Sequence, residues 1–407
     1  MYVFAGESPE PVGKLSAVLM IGLVAAGVSG CGSSSSGAAN ATPATSSLSQ
    51  LAQLGEKIFH DTSLSANGLQ SCASCHDAQH AFAQPNNDAV PTGGLGMDRS
   101  GVRNAPSLRY LLENPAFFFD SEGTPTGGFN RDGRSKNLAE QSIRPFLNPA
   151  EMANASSAEV VDRLSQATYA ADFRKLFGDQ IFADSEQAFF DAREALQAYE
   201  REVTEFAPFS SKYDGFLSGK ITLTDQELRG LALYSDPTKG NCVGCHPSGR
   251  RSGGKPPLFT DFTYDNLGVP RNTAIAANAD SSYFDLGLCG PFREDLAART
   301  DLCGAFKVPT LRNVAITAPY FHNGRFQTLR EVVDFYVRRD TNPEEWYPFG
   351  ANGLPHKFDD LPAQYVRNVN TTEVPYNRHP GDAPALSADE IDDVVAFLQT
   401  LTDGYTQ

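Results

Sequence analysis

Two short stretches of this 407-residue chain carry residues whose types and spacing could do chemistry: Cys72-Ala73-Ser74-Cys75-His76 and Cys242-Val243-Gly244-Cys245-His246. Each sets two thiols three positions apart and follows them at once with an imidazole. That is the pattern of a c-type haem attachment site. Each thiol can add to one haem vinyl group, and the next residue then lies where its imidazole can bind the iron. One copy alone could be a redox dithiol or half of a zinc site. Two copies far apart in the chain, each with its own His, argue against both, because zinc would need its ligands from one folded site. The expectation is two covalently bound haem c groups, held by Cys72, Cys75, Cys242 and Cys245, with His76 and His246 as iron ligands.

The elements that must position these motifs are helical. Leu48, Leu51, Leu54 and Ile58 form one stripe leading into the first motif. Thr224-Asp225-Gln226-Glu227 is a capping-box pattern before Leu228, Leu231 and Leu233, and leads into the second. Further helices are predicted over Asn137–Ile143, Ala158–Ala167, Ala170–Phe177, Asp184–Val203 and Gln327–Arg339. A last one is capped by Ser387-Ala388-Asp389-Glu390, with Ile391, Val394, Val395 and Leu398 as its apolar face. Residues 84–106 and 247–310 are rich in Gly and Pro and read as loops. The repeated order of helix, motif, loops and helices predicts a mainly α fold of two haem domains, 47–210 and 211–407, joined near 205–220, with little β-structure.

Composition bounds the setting. The chain is 41% hydrophobic and 20% charged, so it can bury substantial cores, and its net charge is −16. No basic patch points to nucleic acid. An acidic surface could steer a basic donor or protein substrate, and solubility explains it equally well. Seven cysteines are present. Cys31 follows the apolar run Leu15 to Ala26 and the small residues Val28-Ser29-Gly30, which resembles a lipoprotein signal over 1–30 with Cys31 acylated. An uncleaved membrane anchor is the alternative, and the run is short for a span. Residues 31–46 are Ser-, Gly-, Ala- and Thr-rich and read as a flexible tether. Haem c attachment and export both imply an oxidising compartment, here the periplasm. A disulfide between the remaining Cys289 and Cys303 is expected there, two free thiols being the alternative.

Further motifs stand in order along the chain: Leu54-Gly55-Glu56-Lys57-Ile58-Phe59, Arg103-Asn104-Ala105-Pro106-Ser107-Leu108, Asp132-Gly133-Arg134, Gln141 through Met152, Val308-Pro309-Thr310-Leu311-Arg312-Asn313, and Ala318-Pro319-Tyr320-Phe321-His322-Asn323-Gly324. With them, residues 48–402 resemble the bacterial dihaem cytochrome c peroxidase and MauG superfamily. The resemblance implies two cytochrome c-like domains with a calcium ion between the haems. It implies that the first haem reacts with hydrogen peroxide, with Gln141 and Glu151 forming its distal pocket and Pro145 matching the pocket proline of the MauG branch. A carboxylate there can take a proton from one peroxide oxygen and return it to the other, and the amide of Gln141 can hydrogen-bond bound oxygens. The plainer reading makes Gln141 a surface helix residue and Glu151 a first-turn charge. Calcium ligands fall, by resemblance alone, at Asn104, Thr317 and Pro319.

The haem ligands carry the choice within the superfamily. Many of its peroxidases close the resting first haem with a His from the loop after the motif. Here His80 lies within one turn of His76 and His60 precedes it, so a first haem open to peroxide is expected. The peroxidases bind the second haem with Met. The four methionines are 1, 20, 97 and 152, so none follows the second motif. Tyr336 falls where MauG has its Tyr ligand, with His322 as rival and a core aromatic as the plain alternative. A phenolate donor stabilises the higher oxidation states of iron. Two departures concern charge transfer: Arg131 and Gly240 stand where tryptophans are usual, and the only tryptophan is Trp346. The reading that follows is a periplasmic dihaem oxidoreductase that uses peroxide to oxidise a side chain of a partner protein. The alternatives are a peroxidase fed by a small cytochrome c or cupredoxin, and a dihaem electron carrier without catalysis.

Overall fold

The computed structural model describes residues 48–406. The signal peptide, tether and acylated Cys31 expected from the sequence lie outside them. Helix α1 (Gln50–His60) starts at Ser49, whose hydroxyl caps Ala52 N, and buries Leu54, Ile58 and Phe59. It leads into α2 (Cys72–Cys75), a single turn carrying the first motif. Two short antiparallel pairs follow, β1 (Thr92–Gly93) with β2 (Arg99–Ser100) and β3 (Phe118–Phe119) with β4 (Pro125–Thr126). Then come α3 (Leu138–Ser142), α4 (Arg144–Leu147), α5 (Ser157–Gln166), α6 (Ala170–Phe177) and α7 (Ser185–Glu202).

The second half repeats the order. Helix α8 (Lys212–Leu217) precedes α9 (Asp225–Ser235), whose Thr224–Glu227 capping box is formed as the sequence predicts. The second motif begins in a tight turn at Cys242–Gly244. The pair β5 (Tyr264–Asp265) with β6 (Phe306–Lys307), α10 (Leu329–Arg338) and α11 (Ala388–Gln399) complete it. Strand content is three two-residue pairs among the described residues, so the fold is mainly helical as expected. The helix at Asn137–Ile143 continues after Ile143 into α4, and the segment read as a joint contains α8. No described helix is long and apolar enough to cross a membrane. Cys289 and Cys303 are disulfide-bonded.

Each half is held by a close crossing of two helices. An added Cβ on Gly55 of α1 would stand 1.9 Å from the Ala195 carbonyl oxygen of α7. On Gly230 of α9 it would stand 1.9 Å from the Asp393 carbonyl oxygen of α11. Glycine at both crossings lets backbone approach backbone. Around them lie separate cores. One gathers Leu54, Ile58, Phe146, Phe173, Leu196 and Tyr199; another gathers Tyr234, Phe259, Val333, Val394 and Phe397. A third cluster, with Phe326, Phe335 and Tyr347, backs the loops of the second half. Polar bonds tie the halves together, including Arg103 to Asp285 at 2.6 Å and the Asn104 N–H to the His322 carbonyl at 3.0 Å.

Candidate dihaem site

The first cavity is lined by Cys72, Cys75, His76, Gln141, Pro145, Glu151, Met152 and Glu200, among others. The structure thus brings the first motif together with the three residues proposed for its distal pocket. His76 Nδ1 donates to the Phe82 carbonyl at 2.9 Å. This fixes the tautomer and leaves Nε2 for iron. Burial lowers the basicity of His76, which favours the neutral ring a ligand needs. Phe82 is held at φ 55°, an unusual backbone for a bulky residue, and its carbonyl is what meets the imidazole. Burial pushes the Cys72 thiol up to about 12 and Cys75 to about 11. A redox dithiol needs the opposite shift. These thiols stand in for the thioether sulfurs of the haem-bearing protein.

In the same cavity Asn148 builds the turn that carries Glu151. Asn148 Oδ1 accepts from Ala150 N at 3.0 Å and its carbonyl from Glu151 N at 2.9 Å, while its Nδ2 donates to Glu151 Oε1 at 2.6 Å. Burial raises the Glu151 pKa; the Asn148 bond and Arg134 oppose it. Gln141 Oε1 is buried without a hydrogen-bond partner among the described residues, as befits an amide left for a bound molecule. His76 is the only histidine lining this cavity among the described residues; His80 turns to Asp77 instead, at 2.9 Å. Sequence reasoning missed Glu200. It is 4% exposed, its Oε2 has no partner among the described residues, and burial raises its pKa to about 8.

The second cavity gathers Cys242, Cys245, His246, His322, Tyr336 and Tyr376, and no methionine lines it among the described residues. His246 repeats the first arrangement: Nδ1 donates to the Phe259 carbonyl at 2.7 Å, and Phe259 too has φ 55°. Its own carbonyl accepts from Tyr234 Oη at 2.6 Å. Both thiols are pushed up to about 12 by burial. Tyr336 packs at 5.8 Å on Phe321 and 5.9 Å from Tyr376. After burial, its electrostatic neighbours are Asp265, Cys245 and Cys242, which sets it beside the attachment motif. His322 lies flat on Phe306 at 3.7 Å and is surrounded by Asp285, Arg103 and Arg131, towards the first half.

A third cavity joins the two and is lined by Asn104, Thr317, Pro319, Arg131 and Lys307. The three residues expected to bind calcium are therefore neighbours. Two of their oxygens are engaged, however. Asn104 Nδ2 donates to the Pro319 carbonyl at 2.5 Å, and Asn104 Oδ1 accepts from Arg131 Nη2. As arranged, this donor set does not fit a calcium ion. No group of three or more His, Cys, Asp or Glu side chains among the described residues could hold a metal ion either, which leaves the zinc reading of the motifs without a site. The two motif cavities do fit haem: each has paired thiols, an oriented imidazole and an apolar wall.

Comparison with known proteins agrees. Residues 49–222 match the family model of the di-haem cytochrome c peroxidases. The methylamine utilization protein MauG of Paracoccus denitrificans is 37% identical over 86% of this chain and 87% of its own. The cytochrome c551 peroxidase of Nitrosomonas europaea is 32% identical over 71% and 73%. Among solved structures, the diheme peroxidase BthA of Burkholderia thailandensis is 43% identical, with a TM-score of 0.80, over 87% of this chain and 86% of that one. The chain belongs to the di-haem cytochrome c peroxidase and MauG family of peroxidase-type oxidoreductases, with two haem c groups.

Proposed function

We propose that this member of the family reacts with hydrogen peroxide at the first haem and passes the oxidising equivalents, shared with the second, to a Trp or Tyr side chain of a partner protein. The observation that carries this reading is Tyr336: it lines the cavity of the second motif with His246, and no methionine does so among the described residues. Tyr336 is the proposed second ligand of that haem, and the electrostatic neighbours of His322 favour Tyr336 over it. Bound haem supplies the redox-active iron at each site. The chain's own groups manage the protons. Glu151 takes a proton from one peroxide oxygen and returns it to the other. Gln141 offers its unpartnered Oε1 as an acceptor for a protonated peroxide oxygen. Pro145, second in α4, walls the pocket without an N–H that would compete for them.

Covalent haem and the Cys289–Cys303 disulfide both suit an oxidising compartment. The proposed location is the periplasm, with attachment to a membrane through acylated Cys31. Calcium at Asn104, Thr317 and Pro319 is what the resemblance implies; no step here uses it.

The test is Tyr336→Phe in the ferric protein. The reading expects the low-spin EPR signal and absorption of the second haem to shift, with the first haem unchanged. A His322→Ala variant should leave the second haem as it is. The reverse pattern would assign the ligand to His322. A second reading, peroxide reduction with electrons from a small donor protein, draws on the 43% identity to the diheme peroxidase BthA. It expects repeated turnover with a reduced cytochrome c or cupredoxin.

A further inference from the structure

Three basic residues are among those lining the cavities: Arg103 the first, Lys307 the second and the joining one, and Arg131 all of them. Arg103 is ion-paired twice, to Asp132 at 2.7 Å and Asp285 at 2.6 Å. Arg131 and Lys307 form no ion pair among the described residues. They are bonded to each other through the backbone, with Lys307 N donating to the Arg131 carbonyl at 2.9 Å, and Lys307 Nζ donates to the Gly128 carbonyl at 2.8 Å. Arg131 alone of these lines all three cavities. Among the described residues its guanidinium hydrogen-bonds Asn104: Nη2 donates to Oδ1, and Nε to the backbone carbonyl at 3.4 Å. Asn104 is itself 4% exposed and locked by Pro319 and His322. Asp285 and Asp132 act on Arg131 and Lys307 without forming an ion pair to either, and half-buried cations left unpaired are costly, so this arrangement calls for a role.

Oxygen donors of the amide and carbonyl type hold hard cations. A guanidinium donating to the same oxygens meets the same need, with the charge fixed to the chain. We propose that Arg131 is the resident cation between the two haem sites, standing on the Asn104 carboxamide oxygen that the resemblance assigns to calcium, so that the chain neither needs nor retains calcium there. The proposal rests on the two cavities being haem sites and not on what the oxidising equivalents do afterwards.

The experiment uses the purified dihaem protein. Calcium content is measured by elemental analysis after desalting. Absorption and EPR spectra are then recorded after EDTA and after calcium is added back. Arg131 as resident cation means substoichiometric calcium and no shift in either haem signal. Arg131→Gln, which removes the charge and frees Asn104 Oδ1, should gain stoichiometric calcium and a spectrum that EDTA alters. Stoichiometric calcium in the unaltered protein, or an EDTA-induced change in its first-haem signal, would overturn the proposal even if no variant folds. Failure to oxidise any partner protein would leave these results untouched.

Discussion

Asn148 Nδ2 stands 2.6 Å from Glu151 Oε1, and the same Asn148 closes the turn that aims Glu151 into the first cavity. The bond lowers a carboxyl pKa that burial raises. Glu151 works as a base only when ionised, so the rate of reaction with peroxide should fall as pH drops through its raised pKa, above the ordinary range near 4.3. Asn148→Ala removes an opposing influence and should move that acid limb to higher pH. Glu151→Gln should lower the rate about 10²-fold or more. Stopped-flow rates against pH decide it; an acid limb unmoved by Asn148→Ala would separate Glu151 from the proton transfer.

The paired glycine crossings predict matched sensitivities. Gly55→Ala and Gly230→Ala each drive a methyl into a helix backbone, where the nearest atom is a carbonyl oxygen at 1.9 Å. Each should cost about 1–3 kcal/mol or more, since backbone cannot yield as a side chain can. Thermal unfolding of the dihaem protein would show it as a lower midpoint. An unchanged midpoint for either would mean the crossing opens more easily than drawn.

Glu200 predicts a pH dependence of stability rather than of rate. Its folded pKa is raised to about 8 by burial, above an ordinary value near 4.3. The folded state therefore holds a proton that the unfolded state releases. That stability is whole below about pH 4 and is lost as pH rises towards about 8. Glu200→Gln keeps the shape without the ionisation, so the midpoint should no longer fall across that range. Parallel profiles for Glu200→Gln and the parent would show that Glu200 does not titrate as a buried acid.

Much of this was legible in the residues. The two motifs and the helices leading into them follow from spacing and periodicity, and so do α6 and the capped α9 and α11. Helices α4 and α8 were not foreseen, because a four-residue turn holding Pro145 and a six-residue turn are too short to show a period. Glu200 reads as a surface charge near the end of α7. Its signal was there: it stands four residues after Leu196, on the apolar face. Arg131 was visible as a departure from an expected tryptophan, yet its contact with Asn104, 27 residues away, depends on how loops fold over one another. Loops carry no periodicity to read.

The most direct test of the proposed function is to add one equivalent of hydrogen peroxide to the ferric protein with no electron donor, and to follow both haems by absorption and EPR. The account predicts one high-spin and one low-spin ferric signal at the start, and loss of both together into a long-lived oxidised state. Reaction only after prior half-reduction would contradict it. That result would make the protein a donor-fed peroxidase and remove Tyr336 from the role proposed here.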